Sequence, residues 1–163
     1  MQLYLLRHGI AADGKPGESD AERAITAEGR RKLEHTLGFI AESGVRPDLI
    51  LSSPLKRALQ TAEIAKNLLD CKERILQTNA LSPESSVTEV WEEVRAHRDV
   101  NALMLVGHNP VFEQLPGFLL GAPDLNVDFK KGAVMRVDFE SLSAHPRGVL
   151  RWYVTAGLAE NCG

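Results

Sequence analysis

The stretch Leu3-Tyr4-Leu5-Leu6-Arg7-His8-Gly9 begins as an uninterrupted apolar run and ends in a cation, an imidazole and a glycine. An apolar run without alternation is typical of a strand that is covered on both faces of a parallel sheet. In open α/β sheets, ligands bind outside the carboxyl ends of the strands. Arg7 and His8 therefore stand where a binding site is expected.

Two further apolar runs end in the same way. Ser52–Ala58 (Ser-Ser-Pro-Leu-Lys-Arg-Ala) follows Leu49–Leu51, and Gly107–Pro110 (Gly-His-Asn-Pro) follows Ala102–Val106. The carboxyl ends of parallel strands meet at one edge of a sheet, so residues distant in the chain can converge there. We therefore predict one site that contains Arg7, His8, Arg57 and His108.

The composition limits the classes of partner. The chain has 163 residues, of which 44% are hydrophobic and 25% charged, which predicts one globular domain over residues 1–163. Lys and Arg number 19 against 22 Asp and Glu, a net charge of −3, so we expect neither a nucleic-acid nor a membrane partner. Because the chain carries no net positive charge, a site that binds an anion would have to come from a local group of positively charged side chains.

The cysteines and the N-terminus indicate the compartment. Cys71 and Cys162 are far apart in the sequence and lack metal-ligand spacing, so we expect neither a metal nor another cofactor. The first residues lack the basic leader of a secretion signal, and no apolar run reaches the length of a membrane span. These features favour a cytoplasmic protein, which we take to be a monomer.

Strand and helix patterns alternate along the chain. Thr26 caps a predicted helix over 27–43, and the Ser-Pro and Asn-Pro pairs at 53–54 and 109–110 predict helices whose first residue is the proline. We also predict an edge strand at Ile75-Leu76, a helix from the Ser86 cap to about Arg98 that buries Trp91, and a kink or split at Pro116. Two strands at 133–139 and 149–154, joined by a polar turn, are predicted to extend the sheet at an edge.

This alternation predicts an α/β fold: a three-layer sandwich with a mostly parallel central sheet and helices on both faces. The order of the strands does not follow from the pattern. Segments 10–25 and 121–131 are predicted to be long loops beside the site, where substrate specificity would be determined.

The four convergent side chains suit phosphoryl transfer. The planar arginine fork holds two phosphoryl oxygens at once, so Arg7 and Arg57 would form a phosphate cradle. A neutral His8 would attack phosphorus, while a protonated His108 would stabilise the oxygens in the transition state. Glu84, in a loop after the Arg57 helix, is the candidate acid for an alkoxide leaving group. The simpler alternatives are a surface arginine, a structural histidine and a loop carboxylate.

The three motifs, together with Gln60-Thr61-Ala62, resemble the histidine phosphatase superfamily in the same order and over nearly the whole chain. Asp20 and Arg23 ahead of Ile25-Thr26, the short length and the Gly-His-Asn-Pro form resemble the SixA-type phosphohistidine phosphatases. The resemblance implies a phosphoglycerate mutase-like fold and a phosphorylated His8. It also implies a pocket completed by Arg7, Arg57 and His108, with Arg23 as a further contact, and no metal or organic cofactor. Ile10-Ala11 replaces the acidic residue and Ser or Thr usual in the mutase branch, which argues against mutase activity.

Three functions remain open. The first is hydrolysis of phosphohistidine on a partner protein through phospho-His8. The second is hydrolysis of a small phosphate ester, a sugar or nucleotide phosphate, with Glu84 as the acid. The third is a noncatalytic module that binds a phosphoanion. An imidazole leaves phosphorus more readily than an alkoxide, so the first needs Glu84 less than the second does.

Overall fold

The computed structural model describes residues 1–162, which fold around one six-stranded sheet. The strands are β1 (Gln2–Arg7), β2 (Leu49–Ser52), β3 (Leu76–Gln77), β4 (Ala102–Gly107), β5 (Val134–Asp138) and β6 (Val149–Val154). Their order is β3-β2-β4-β1-β5-β6. The first four in this order are parallel, β5 runs antiparallel to β1, and β6 runs antiparallel to β5. The mostly parallel sheet, its extension at one edge by β5 and β6, and the edge position of β3 are as predicted.

Helices cover both faces of the sheet. They are α1 (Ala27–Glu42), α2 (Lys56–Leu68), α3 (Val87–Ala96), α4 (Val111–Leu120) and α5 (Ala156–Asn161). Trp91 and Phe112, from α3 and α4, belong to one buried cluster, and Leu33, Leu37 and Ala62, from α1 and α2, belong to the other. The two clusters lie on opposite faces because neighbouring residues of a strand point to opposite sides. The predicted three-layer sandwich is therefore confirmed.

The helix starts that rest on side-chain caps are confirmed. Thr26 Oγ1 accepts a hydrogen bond from the Gly29 amide at 2.9 Å, and Ser86 and Glu89 form a reciprocal capping box. Trp91 is 1% exposed, as expected of a core residue. Helix α5, which the sequence pattern did not predict, begins at a Thr155 cap, and its Ala159 carbonyl lies 3.1 Å from His35 Nε2 on α1.

Both helix starts assigned to a proline are wrong. The Ser53 amide still donates to the Val106 carbonyl at 3.0 Å, so the backbone continues the sheet past the end of β2. Leu55 keeps an extended conformation, and α2 begins only at Lys56. Pro110 is the N-cap of α4, which begins at Val111.

Pro116 does not split α4, which runs unbroken from Val111 to Leu120. A proline removes one backbone hydrogen bond from a helix interior, but the helix continues past the buried Pro116. None of the helices within residues 1–162 has the length and apolar character needed to cross a membrane.

Candidate active site

A cavity of about 290 Å³ opens at the carboxyl ends of the central parallel strands. Arg7, His8, Arg57 and His108 all line it, so the structure brings together the four side chains that the motifs singled out. The remaining lining residues are Asp20, Arg23, Pro83, Glu84, Asn109 and Lys131. Four cations and two carboxylates leave a net formal charge of +2 when both imidazoles are neutral, which suits a dianion.

His8 stands directly after β1 and is 6% exposed. Its amide donates to the Gly107 carbonyl at 3.1 Å, and its Nδ1 lies 2.7 Å from the Gly9 carbonyl. A carbonyl oxygen only accepts, so Nδ1 carries the proton and the lone pair of the neutral ring is on Nε2. Burial, with the nearby charges of Arg57 and Arg7, lowers the pKa of His8 to about 4. The imidazole is therefore neutral at pH 7, with a free lone pair.

Close packing of α1 holds this segment in place. A side chain on Gly9 would lie 2.5 Å from Leu33 Cδ1, and one on Gly29 would lie 2.3 Å from the carbonyl oxygen of Ile10. The Gly9 amide also donates to Thr61 Oγ1 at 3.1 Å. Gly9 and Gly29 therefore allow α1 and the loop after β1 to lie closer together than any residue with a side chain would permit.

The two arginines are fixed differently. Arg7 Nη1 donates to the Phe129 carbonyl at 2.7 Å, and Arg7 Nε is buried with no partner among residues 1–162. Arg57, in the first turn of α2, donates through Nη1 to the Asp20 carbonyl at 2.9 Å and through Nη2 to Asp20 Oδ2 at 3.0 Å. Arg7 thus has a free donor beside the cavity, whereas Arg57 already holds an internal anion.

His108 faces His8 across the cavity, with the ring centroids 4.9 Å apart. Its Nε2 lies 2.8 Å from Ser53 Oγ, and its Nδ1 is buried without a partner in the described part of the chain. Burial, then His8 and Arg57, lowers the pKa of His108 to about 3. His108 is therefore neutral at pH 7 in the free protein, and its predicted protonation beside a phosphate stays a prediction for the bound state.

Arg23 and Glu84 line the cavity but differ in how they are held. Arg23 donates through Nη1 to Asp20 Oδ1 at 2.9 Å and through Nε to the Ala12 carbonyl at 2.8 Å. Glu84 is exposed and makes no hydrogen bond or ion pair with another described residue. Its carboxylate is thus free to meet a leaving group, although no contact fixes it there.

Sequence reasoning missed Lys131, Asn109 and the role of Asp20 at Arg57. The Gly132 amide lies 3.1 Å from both the Arg7 and the His8 carbonyl oxygens, which places the Lys131 backbone beside the end of β1. Lys131 forms no ion pair with the residues that the structure describes, and it contributes to the lowered pKa of His8. A lysine directly before a glycine in a predicted specificity loop was the available signal.

Residues 1–162 contain no group of three or more His, Cys, Asp or Glu side chains placed to hold a metal ion. The donors around the cavity are mainly guanidinium, ammonium and imidazole groups, which favour an anion instead.

Residues 3–82 match the sequence profile described as "Histidine phosphatase superfamily (branch 1)". The profile includes Arg7, His8 and Arg57, and the cavity adds His108 from beyond it. The chain belongs to the histidine phosphatase superfamily. It is a phosphatase with the mixed α/β fold of that superfamily.

Other members of the histidine phosphatase superfamily have the same fold. The structure of the protein histidine phosphatase SixA complexed with tungstate superposes with a TM-score of 0.87 at 24% identity, over 96% of this chain and 98% of that one. A putative phosphohistidine phosphatase SixA from Agrobacterium tumefaciens gives a TM-score of 0.80 at 27% identity, over 94% and 97%. A putative alpha-ribazole-5'-P phosphatase from Escherichia coli gives a TM-score of 0.72 at 20% identity, over 97% and 98%.

Among curated sequences, an uncharacterized protein from Picosynechococcus is 34% identical over 143 residues, which are 83% of each chain. The structural relatives of this histidine phosphatase thus include enzymes named for phosphohistidine and enzymes named for a small phosphate ester.

Proposed function

We propose that this phosphatase hydrolyses phosphohistidine on a partner protein through a covalent phospho-His8 intermediate. The observation that carries the proposal is the hydrogen bond of Nδ1 to the Gly9 carbonyl, which leaves Nε2 of a neutral, buried imidazole free between two arginines. A neutral imidazole with a free lone pair is a nucleophile that needs no separate base.

In the first step, His8 Nε2 forms a bond to phosphorus as the bond from phosphorus to the leaving nitrogen breaks. The electron pair goes to the departing imidazole, which takes a proton from water or from Glu84. Attack through Nε2 places positive charge on the His8 ring, and the Gly9 carbonyl stabilises it by accepting from Nδ1–H. Arg7 and Arg57 bind the nonbridging oxygens.

In the second step, the oxygen of a water molecule attacks phosphorus and the bond to Nε2 breaks, which releases inorganic phosphate. A bound phosphoryl group introduces negative charge beside His108, whose pKa is low because the ring is buried and lies near His8 and Arg57. Phosphoryl binding should therefore raise this pKa and favour the protonated ring. His108 would then act as a cationic donor once substrate is bound.

The open cavity favours a protein substrate. Asp20, Glu84 and Lys131 are exposed lining residues, so the mouth of the cavity is accessible to an imidazole carried on a protein surface. The base of a nucleotide phosphate would find few described apolar residues there, since Pro83 is the one apolar lining residue. The exposed, unpaired Glu84 favours the second candidate, a phosphomonoesterase with Glu84 as acid.

A substrate panel separates these functions. We expect rapid release of phosphate from a phosphohistidine-bearing carrier protein, slow hydrolysis of small phosphate esters, and loss of both activities in His8→Ala. Rapid ester hydrolysis with an untouched carrier protein would refute the protein substrate. For an esterase, Glu84→Gln should slow ester hydrolysis by roughly 100-fold or more.

Labelling tests the intermediate and the noncatalytic alternative. Incubation with a phosphoryl donor should give an acid-labile label that is absent from His8→Ala. Phosphate binding without any label would indicate a binding module instead. The monomeric state and the cytoplasmic location remain parts of this proposal, the latter supported by two free cysteines far apart in the sequence.

A further inference from the structure

Ser53 and His108 form a buried pair behind the cavity. Ser53 is 0% exposed and His108 is 1% exposed, and Ser53 Oγ lies 2.8 Å from His108 Nε2. Ser53 does not line the cavity and does not cap α2, so neither phosphate binding nor helix capping accounts for its hydroxyl. The pair joins the end of β2 to the end of β4, two neighbouring strands.

The other hydrogen bonds of Ser53 Oγ favour one direction for this contact. The Leu55 amide donates to Ser53 Oγ at 3.3 Å, which uses one of the two lone pairs of the hydroxyl oxygen. Among the described residues His108 Nε2 is the one acceptor in reach of the hydroxyl proton, so the buried hydroxyl is satisfied as a donor only when Nε2 accepts. In a neutral imidazole, an accepting Nε2 requires the proton to be on Nδ1.

Nδ1 of His108 is the nitrogen left for a ligand. It is buried and has no partner among residues 1–162, although nearly all buried polar atoms in folded proteins have one. His108 lines the cavity opposite His8, and its Nε2 is held by Ser53. A phosphoryl oxygen in the cavity would satisfy an Nδ1–H donor.

We propose that Ser53 is a positioning residue that selects the Nδ1–H form of His108, so that His108 donates to the phosphoryl group through Nδ1. The same hydroxyl serves both charge states of the ring. It donates to Nε2 while His108 is neutral, and it turns to accept from Nε2–H once the phosphoryl group favours protonation. His108 thereby gains a proton without moving, because its outer partner changes from donor to acceptor.

The proposal deepens the function above, since it assigns how His108 meets the phosphoryl group. It does not depend on His8 being the nucleophile or on the identity of the substrate. The proton position in free His108 can be measured directly, so a failure of this proposal is distinguishable from a failure of the proposed function.

The first experiment uses the unaltered protein. Nitrogen-15 NMR of histidine-labelled protein at pH 7.5, with His108→Gln for assignment, should show a protonated Nδ1 and an unprotonated Nε2 for His108. Saturation with inorganic phosphate should move Nε2 toward the protonated shift. A neutral His108 protonated on Nε2 in the free protein would overturn the proposal.

The second experiment removes the hydroxyl. Ser53→Ala should disturb the His108 proton position and lower kcat/KM on the best substrate of the panel by roughly 10- to 100-fold, the usual cost of losing a hydrogen bond that orients a functional ligand. Ser52→Ala is the matched control, because Ser52 is also buried and its hydroxyl donates to the Ser53 carbonyl at 2.9 Å. Equal losses in the two variants, or an unchanged His108 spectrum in Ser53→Ala, would overturn the role.

Discussion

Asp20→Asn should tighten the binding of inorganic phosphate. Arg57 holds the Asp20 carbonyl oxygen at 2.9 Å and Oδ2 at 3.0 Å, a two-oxygen grip like the one an arginine fork makes with a phosphoryl group. Asp20 Oδ1 also accepts from Arg23 at 2.9 Å. These two cations lower the pKa of Asp20, so the carboxylate is charged at neutral pH and competes with the ligand.

The size of the expected change in phosphate affinity depends on how exposed the Asp20–Arg57 ion pair is. The Asp20 side chain is 59% exposed and the Arg57 side chain 7%, so the pair lies between a surface ion pair and a buried one. Exposed pairs contribute about 0.2–1 kcal/mol, and hydrogen bonds to charged groups about 1.5–3 kcal/mol. With solvent screening, about 1–2 kcal/mol is reasonable, which corresponds to roughly 5- to 30-fold in apparent affinity when Arg57 must first release Asp20.

Isothermal titration calorimetry with inorganic phosphate at pH 7.5 and low ionic strength measures this effect. Asp13→Asn is the control, because Asp13 lies exposed in the same loop and its substitution makes the same change in net charge. Tighter binding in Asp20→Asn alone is expected. Unchanged or weaker binding would refute the idea that Asp20 competes with phosphate for Arg57, and it would show that Asp20 instead orients Arg57 for the ligand.

Three further predictions concern pH, charge and packing. Folding lowers the pKa of His8 from 6.5 to about 4 and that of His108 from 6.5 to about 3. As the pH falls, the unfolded chain therefore takes up protons before the folded protein does, and the free energy of unfolding should decline from pH 6.5 toward pH 4. Urea titrations measure this decline, which should be shallower in His108→Gln. Lys131→Ala should weaken phosphate binding about fivefold, as expected for the loss of about 1 kcal/mol from one solvated charge. Lys130→Ala is the control and should leave phosphate binding unchanged, because Lys130 is already paired with Asp128. Equal effects of the two substitutions would contradict a role for Lys131. Gly29→Ala should destabilise the protein by about 1–3 kcal/mol in thermal unfolding, because the new Cβ meets the Ile10 carbonyl; a stabilised variant would show that the backbone yields easily.

The residues of the site could be predicted from the sequence, whereas the order of the strands and the short helix α5 could not. Arg7, His8 and His108 follow apolar runs directly, so local pattern and the rule for parallel sheets suffice to bring them together. The position of β1 between β4 and β5 depends on pairing across about a hundred residues, which hydrophobic periodicity does not encode. Helix α5 has only six residues, too few for a recognisable helical stripe.

The protonation state of His108 was not accessible from the sequence. A histidine beside an expected phosphate suggests a cation, but the ring is 1% exposed and lies near Arg57 and His8. Burial and neighbouring charge depend on the assembled fold. The contact between Asp20 and Arg57, 37 positions apart, was equally inaccessible because it depends on how an exposed loop returns to α2.

The distance between the two imidazoles has a simple origin in the backbone. Arg7 of β1 pairs in register with Gly107 of β4, and each histidine is the next residue along its strand. Neighbouring strands lie about 4.7–4.9 Å apart, close to the 4.9 Å between the ring centroids. The spacing of the two imidazoles therefore follows the main-chain pairing of β1 and β4, and it should survive side-chain changes elsewhere as long as these two strands stay in register.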